Sequence, residues 1–156
     1  MTLDNKITID YFESPPPEDT ALLSGGISQE AYEQKGLAPV EHFGFFVSNS
    51  KGERVGGING FIYYGCLYID QLYLHPSYRK QQLGSQLMYK AEELATSKGC
   101  SFATVNTMDW EAEEFYTKLG YYREFERKGY DQASTMIFLR KDFPPKSNRT
   151  QEAPHE

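Results

Sequence analysis

Arg79, Lys80, Gln81, Gln82, Leu83, Gly84 and Ser85 stand between a strand-like run ending at Leu74 and a helical run starting near Leu83. That placement has a chemistry of its own. A helix start presents unpaired N–H groups and about half a positive charge, which suits an anion. Arg79 and Lys80 add formal charge beside it, and Gly84 lets a ligand approach the backbone closely. A diphosphate fits this constellation. Residue types alone leave a plain strand-to-helix turn with two solvated basic residues equally open. Upstream, Ile69 to Leu74 breaks clean alternation, which suits a β-bulge that exposes backbone N–H groups. Asp70 in that run is the best-placed carboxylate for taking a proton, although a structural, hydrogen-bonded aspartate accounts for it as well. Leu72 and Leu74 read as core residues whose backbone is free to do other work.

The elements that must hold these residues alternate along the chain. Ile7 to Phe12 reads as a short strand, and Ser14 to Asp19, with three prolines, reads as a breaker. Ser28 to Lys35 reads as a short helix capped by Ser28. His42 to Ser48 and Arg54 to Tyr64 read as an antiparallel pair around Asn49-Ser50-Lys51-Gly52, with Leu67 to Leu74 as the next strand. Leu83, Leu87, Ala91, Leu94 and Ala95 then repeat at helical spacing, with Lys90, Glu92, Glu93 and Lys98 turned outward and Gly99 at the C-terminal cap. Ser101 to Asn106 is a short apolar strand. Asp109 is placed to cap a second helix whose apolar face is Ala112, Phe115, Tyr116 and Leu119, ended by Gly120. Tyr121 to Lys128 and Thr135 to Arg140 form a closing hairpin. A strand–helix–strand unit requires local parallel pairing within an otherwise antiparallel sheet, hence a mixed α/β fold.

The 156 residues suit one domain, expected over residues 1–143, with the polar stretch 144–156 as a disordered tail. Sixteen basic residues against twenty-two acidic ones give a net charge of −6. That balance disfavours nucleic acid and anionic lipid as partners, so an anionic ligand needs a local site. No apolar run is long enough to cross a bilayer, and Met1 to Asp10 lacks the apolar stretch of a signal peptide. The expected compartment is the cytoplasm. Cys66 and Cys100 read as reduced, half-buried side chains. No C-x-x-C pair or histidine cluster is present, so no metal site is expected. Exposed aromatics in the closing hairpin allow a homodimer without requiring one.

The segment from Arg79 to Gly84 resembles the Arg/Gln-x-x-Gly-x-Gly/Ala signature of the GNAT acetyltransferases, which binds the pyrophosphate of acetyl-coenzyme A. Asn106, followed by Ala112, Tyr116, Gly120 and Tyr121, is similar to that family's second signature, Asn…Ala-x-x-x-Tyr-x-x-x-Gly-Phe/Tyr. The order and spacing agree over Leu67 to Tyr121. The resemblance implies a central, mostly antiparallel twisted sheet of about six to seven strands flanked by about four helices. It implies direct transfer of an acetyl group from the thioester of acetyl-coenzyme A to an amine of a small molecule or peptide. By the same resemblance, the backbone around Leu72, Tyr73 and Leu74 holds the pantetheine arm and thioester carbonyl. Arg79 to Ser85 hold the pyrophosphate, and Asn106 and Phe115 lie along the cofactor. Tyr116 is the implied general acid, with Asp70 as the candidate base. Acceptor sites in the family lie between the early helices and the final hairpin, about Ala21 to Val40 and Arg123 to Ser134 here. There Glu124, Glu126 and Asp131 lean towards a cationic amine such as a polyamine, an aminoglycoside-like compound or lysine. One departure stands out: Gln82 occupies the place of the signature's first glycine. It motivates the alternative of an inactive acyl-coenzyme A-binding regulatory module of the same fold.

Overall fold

The computed structural model describes residues 6–145, so the tail expected at 144–156 falls outside them save for Pro144 and Pro145. The chain forms two compact units, one ending at Pro39 and the other beginning at Val40. The first contains helix α1, Pro17–Lys35. Here the structure overturns two expectations. The proline cluster starts a helix instead of breaking the chain, because Pro17 occupies the first turn, where no N–H is needed and its fixed φ already matches. Glu18 and Asp19 in that turn and Lys35 in the last one suit the helix dipole. Gly36, at φ 67°, ends the helix in a left-handed cap. Ile7 to Phe12 forms no strand, and Ile7, Ile9 and Tyr11 are exposed.

The second unit is a six-stranded sheet. Strands β1 (Glu41–Ser48), β2 (Arg54–Tyr63) and β3 (Cys66–Leu74) form the antiparallel meander. Helix α2 (Leu83–Ser97) crosses to β4 (Phe102–Met108), which lies parallel to β3. Helix α3 (Glu113–Lys118) leads to β5 (Tyr122–Tyr130) and β6 (Ser134–Asp142), and the sheet order is β1-β2-β3-β4-β6-β5. Three α-helices and six strands among the described residues thus stand where about four helices and up to seven strands were expected.

The core lies where α2 meets the sheet. Leu87, Met88, Ala91 and Ala95 pack onto Ile58, Leu67, Ile69, Ala103, Val105, Ile137 and Leu139. The alanines let the helix approach the strands closely. Glu92, expected outward, is buried at 8% exposure, because Lys141 from β6 meets its carboxylate there. Burial pushes the Glu92 carboxyl upward, and Lys141 opposes that shift.

The feature that shapes the site is a bulge. Asn59 pairs with Gln71, but the next residue, Gly60, pairs with Ile69, leaving Asp70 as the extra residue in β3. The alternation therefore resets. Leu67 and Ile69 before it and Leu72 and Leu74 after it all join the α2-side core. Gly60 has no room for a side chain, since a Cβ there would fall on the Tyr68 carbonyl oxygen. Gly60→Ala should lower the unfolding free energy by about 1–3 kcal/mol, as over-packing does. Denaturant titration checks this, and a change below about 0.5 kcal/mol would show that the bulge tolerates a side chain.

Candidate acyl-coenzyme A site

Strands β3 and β4 pair in parallel at Cys66–Phe102, Leu67–Ala103, Tyr68–Thr104 and Ile69–Val105, and no further. Both continue past that point, β3 to Leu74 and β4 to Met108. They part at the bulge, and Asn106 is the first β4 residue beyond the last pair. A wedge therefore opens between two strand edges with unpaired backbone groups. Successive residues of a strand direct their N–H and C=O to opposite edges. The His75 N–H donates to the Val55 carbonyl on the β2 side, so Tyr73 also faces β2, while Leu72 and Leu74 face the wedge. The Leu74 carbonyl fits this assignment: it accepts the Arg79 Nε–H at 2.9 Å from outside the ladder. Of the three β3 residues expected along the cofactor, Leu72 and Leu74 present backbone to the wedge. Tyr73 presents its ring to the far face, where the Arg79 guanidinium lies over it at 5.8 Å.

The wedge leads to the loop before α2. Lys80 and Gln82 both adopt left-handed backbone, each at φ 63°. Gln82 is the N-terminal cap of α2, and Leu83 begins the right-handed helix. A left-handed residue followed by right-handed ones turns successive N–H groups into one concavity, an anion nest. Gln82 thus adopts the backbone that the signature's glycine would supply, at a conformational cost of about 1–2 kcal/mol for a residue with a Cβ. A cavity of about 380 Å³ opens at this nest, lined by residues that include Leu74, Arg79, Lys80, Gln82, Gly84, Ser85 and Phe115. Gln81 is exposed on the same loop. Gly84 has a packing role beside its expected one, since a Cβ there would lie 3.3 Å from the Phe115 ring. Phe115 thereby ties α3 to the start of α2.

Tyr116 is in the core at 6% exposure, edge-on to Phe115 at 5.1 Å and to Tyr121 at 5.9 Å. Burial, with the Glu111 charge adding to it, pushes its phenol up to about 12. The hydroxyl is therefore protonated across the neutral range. Asp70 stands exposed at the bulge. Asp109 does not cap α3. Its Oδ1 accepts the Thr135 N–H at 3.1 Å and so ties the end of β4 to β6. The hydroxyl at the head of α3 is that of Thr107, which accepts the Ala112 N–H at 3.2 Å. The strand expected from the sequence ends at Asn106 and leaves Thr107 without a role, which is why this link between β4 and the start of α3 was missed.

The chain matches the acetyltransferase (GNAT) family model over residues 7–121. It belongs to the GNAT acetyltransferase family. It is 33% identical over 84 residues to a blasticidin-S acetyltransferase of Streptomyces morookaense, covering 53% of this chain and 62% of that protein. It is 30% identical over 119 residues to the mouse thialysine N-epsilon-acetyltransferase, covering 67% of this chain and 70% of that one. Among solved structures, an acetyltransferase from Agrobacterium tumefaciens aligns with a TM-score of 0.76 at 20% identity, over 88% of this chain and all (100%) of that one. A Bacillus anthracis acetyltransferase solved with acetyl coenzyme A aligns with a TM-score of 0.61 at 17% identity, over 67% and 64%. These last two likenesses show the fold. No helix among the described residues is long and apolar enough to cross a membrane.

Gln82→Gly should leave the nest intact and remove its strain. Glycine's greater freedom in the unfolded chain offsets about 0.5–1 kcal/mol of that gain. The expected net stabilisation is about 0.5–1 kcal/mol in a thermal melt. A fall in melting temperature would show that the Gln82 side chain contributes more than its backbone costs.

Proposed function

We propose that this protein is an N-acetyltransferase that moves an acetyl group from acetyl-coenzyme A to a primary amine by direct attack. The observation that carries the reading is the joining of wedge and nest: two free strand edges lead to a concavity of N–H groups beside Arg79 and Lys80. The fit to an acyl-coenzyme A is a fit of shape and donors. An extended amide-bearing arm pairs with Leu72 and Leu74 as a strand would, and a diphosphate meets the nest at Gln82 and Leu83. The family membership and the relatives named for amine acetylation support the same reading.

The thioester supplies the acetyl carbon and departs as a thiolate. The chain's residues act around that exchange. An aliphatic ammonium, with a pKa near about 10.4, must lose a proton before its nitrogen can attack. Asp70, at the bulge and open to water, receives that proton. A backbone N–H of the wedge edge, from Leu72 or Leu74, donates to the carbonyl oxygen as negative charge develops on it. A nitrogen–carbon bond forms as the carbon–sulfur bond breaks, and the nitrogen's second proton is released to water or to the departing thiolate, leaving a neutral amide. Tyr116 donates a hydrogen bond to the leaving sulfur. Its phenol lies above the usual thiol range of about 8.5, so it supports the thiolate without giving up its proton completely. Asn106, where the strands part, and Phe115, against Gly84, keep the arm in place.

Tyr116→Phe should lower kcat about 100-fold, within the usual range for a lost proton donor, while coenzyme A affinity changes little. Thiol release with an amine panel reads the first quantity and a thermal melt the second. Unchanged turnover would remove Tyr116 from the mechanism. Because its phenol is held near about 12, Tyr116 keeps its proton as the amine loses its own with rising pH. The wild-type kcat profile should therefore rise from pH 6 to 10 with no descending limb from the phenol. An inflection that vanishes in Tyr116→Phe and lies below about pH 9 would contradict that assignment.

A further inference from the structure

A second cavity, of about 730 Å³, lies apart from the coenzyme site and opens between the β1–β2 turn, β2, β3 and the short 3₁₀ turn Pro76–Tyr78. Phe46, Tyr73 and Tyr78 are among its walls, and Asn59 and Gln71 lie at one end. Alternation fixes its face. Leu72 and Leu74 point into the α2-side core, so Gln71 and Tyr73 between them point to the other side. Along one stretch of β3, therefore, Gln71 and Tyr73 border this cavity with their side chains while Leu72 and Leu74 border the wedge with their backbone. The Gln71 end adjoins the bulge, where the strands part.

From this arrangement we infer that the cavity receives the acceptor, and that the acceptor is a compact monoamine with an apolar or aromatic body. The inference rests on the acetyltransferase reading and adds the substrate class and its site. The volume suits one small molecule, not a folded chain segment. The charged residues on its walls, Glu53 and Arg54, are one of each sign and both engaged. Glu53 accepts from Asn49 Nδ2 at 3.2 Å, and Arg54 bonds Ser48 Oγ and lies over the Phe46 ring at 5.8 Å. No surplus of negative charge is left for a polycation. The polar handle is the pair of amides at the bulge. Asn59 Nδ2 donates to Gln71 Oε1 at 2.9 Å, and Asn59 Oδ1 is buried without a hydrogen-bond partner. An amine N–H entering at that end offers the missing donor once the Asn59 amide turns its oxygen towards the cavity. The acidic hairpin that first suggested a polyamine is itself engaged: Glu126 pairs with Arg123, and Glu124 with Arg140 at 3.7 Å.

The test measures amine binding by calorimetry to wild-type protein saturated with coenzyme A, alongside acetyl transfer to the same amines. Phenethylamine-type and short alkyl monoamines are compared with spermidine and a lysine peptide. Ser77→Trp then fills the cavity mouth from an exposed position, and Tyr78→Ala widens it. The expected result is tighter binding of the monoamines than of the other two. Ser77→Trp should weaken that binding at least about 10-fold without changing coenzyme A affinity, and Tyr78→Ala should shift preference towards bulkier monoamines. Monoamine binding that is blocked by Ser77→Trp but accompanied by no acetyl transfer would uphold this site while overturning the transferase reading. Tightest binding of spermidine or peptide, monoamine binding indifferent to both substitutions, or no binding of any amine would overturn the inference. If acetyl transfer persists in either of the first two cases, the transferase reading stands.

Discussion

Everything at the candidate site depends on two strands that stop pairing. β3 and β4 share four parallel pairs and then diverge, because one extra residue, Asp70, bends β3 towards β2. Unpaired backbone groups away from water are costly, so a gap of this kind persists only if water or a ligand satisfies it. The bulge also resets alternation, which keeps Leu72 and Leu74 in the core after the bend. One inserted residue thus opens a binding edge without sacrificing the packing beneath it. Gly60, opposite the bulge, is the position on β2 that makes room for it.

The surrounding structure stiffens that opening. Arg79 holds the Leu74 carbonyl and lies over Tyr73, so the loop is anchored to the strand it follows. Phe115 fills the space that Gly84 leaves, anchoring α3 to the start of α2. Behind it, Tyr116 rests against Tyr121, whose ring carries Lys141 above it, and Lys141 in turn meets Glu92 on α2. The Tyr121 hydroxyl is buried without a partner, and burial drives its phenol far upward. Both phenols of the tyrosine pair are therefore neutral, and Tyr121 packs behind the one phenol to which the proposed mechanism gives a role.

Much of this was legible in the sequence because the relevant signals are local. The period-two and helical runs located the six observed strands and α2 within a few residues. The broken alternation at Ile69 to Leu74 announced the bulge, and Arg79 to Gly84 marked the loop between β3 and α2 where the anion site is proposed. What escaped were relations between distant segments. Glu92 reads as a solvent-facing residue until β6 places Lys141 beside it. Asp109 has the residue type of a helix cap, but the Thr135 backbone claims its carboxylate. Gln82 departs from the glycine pattern in side chain yet keeps its backbone angle, which no residue alphabet reveals. The cavity behind Gln71 and Tyr73 has no motif at all, because its walls come from three strands and two turns.

The most direct test of the account is amide hydrogen exchange on the full chain, with and without coenzyme A at about 100 times its dissociation constant. The Leu72 and Leu74 amides, which face the wedge, should exchange about 100-fold more slowly when coenzyme A is bound. The Tyr73 and His75 amides, already paired with β2, should change far less. Equal protection of all four, or none at Leu72 and Leu74, would contradict the claim that this strand edge is what holds the coenzyme.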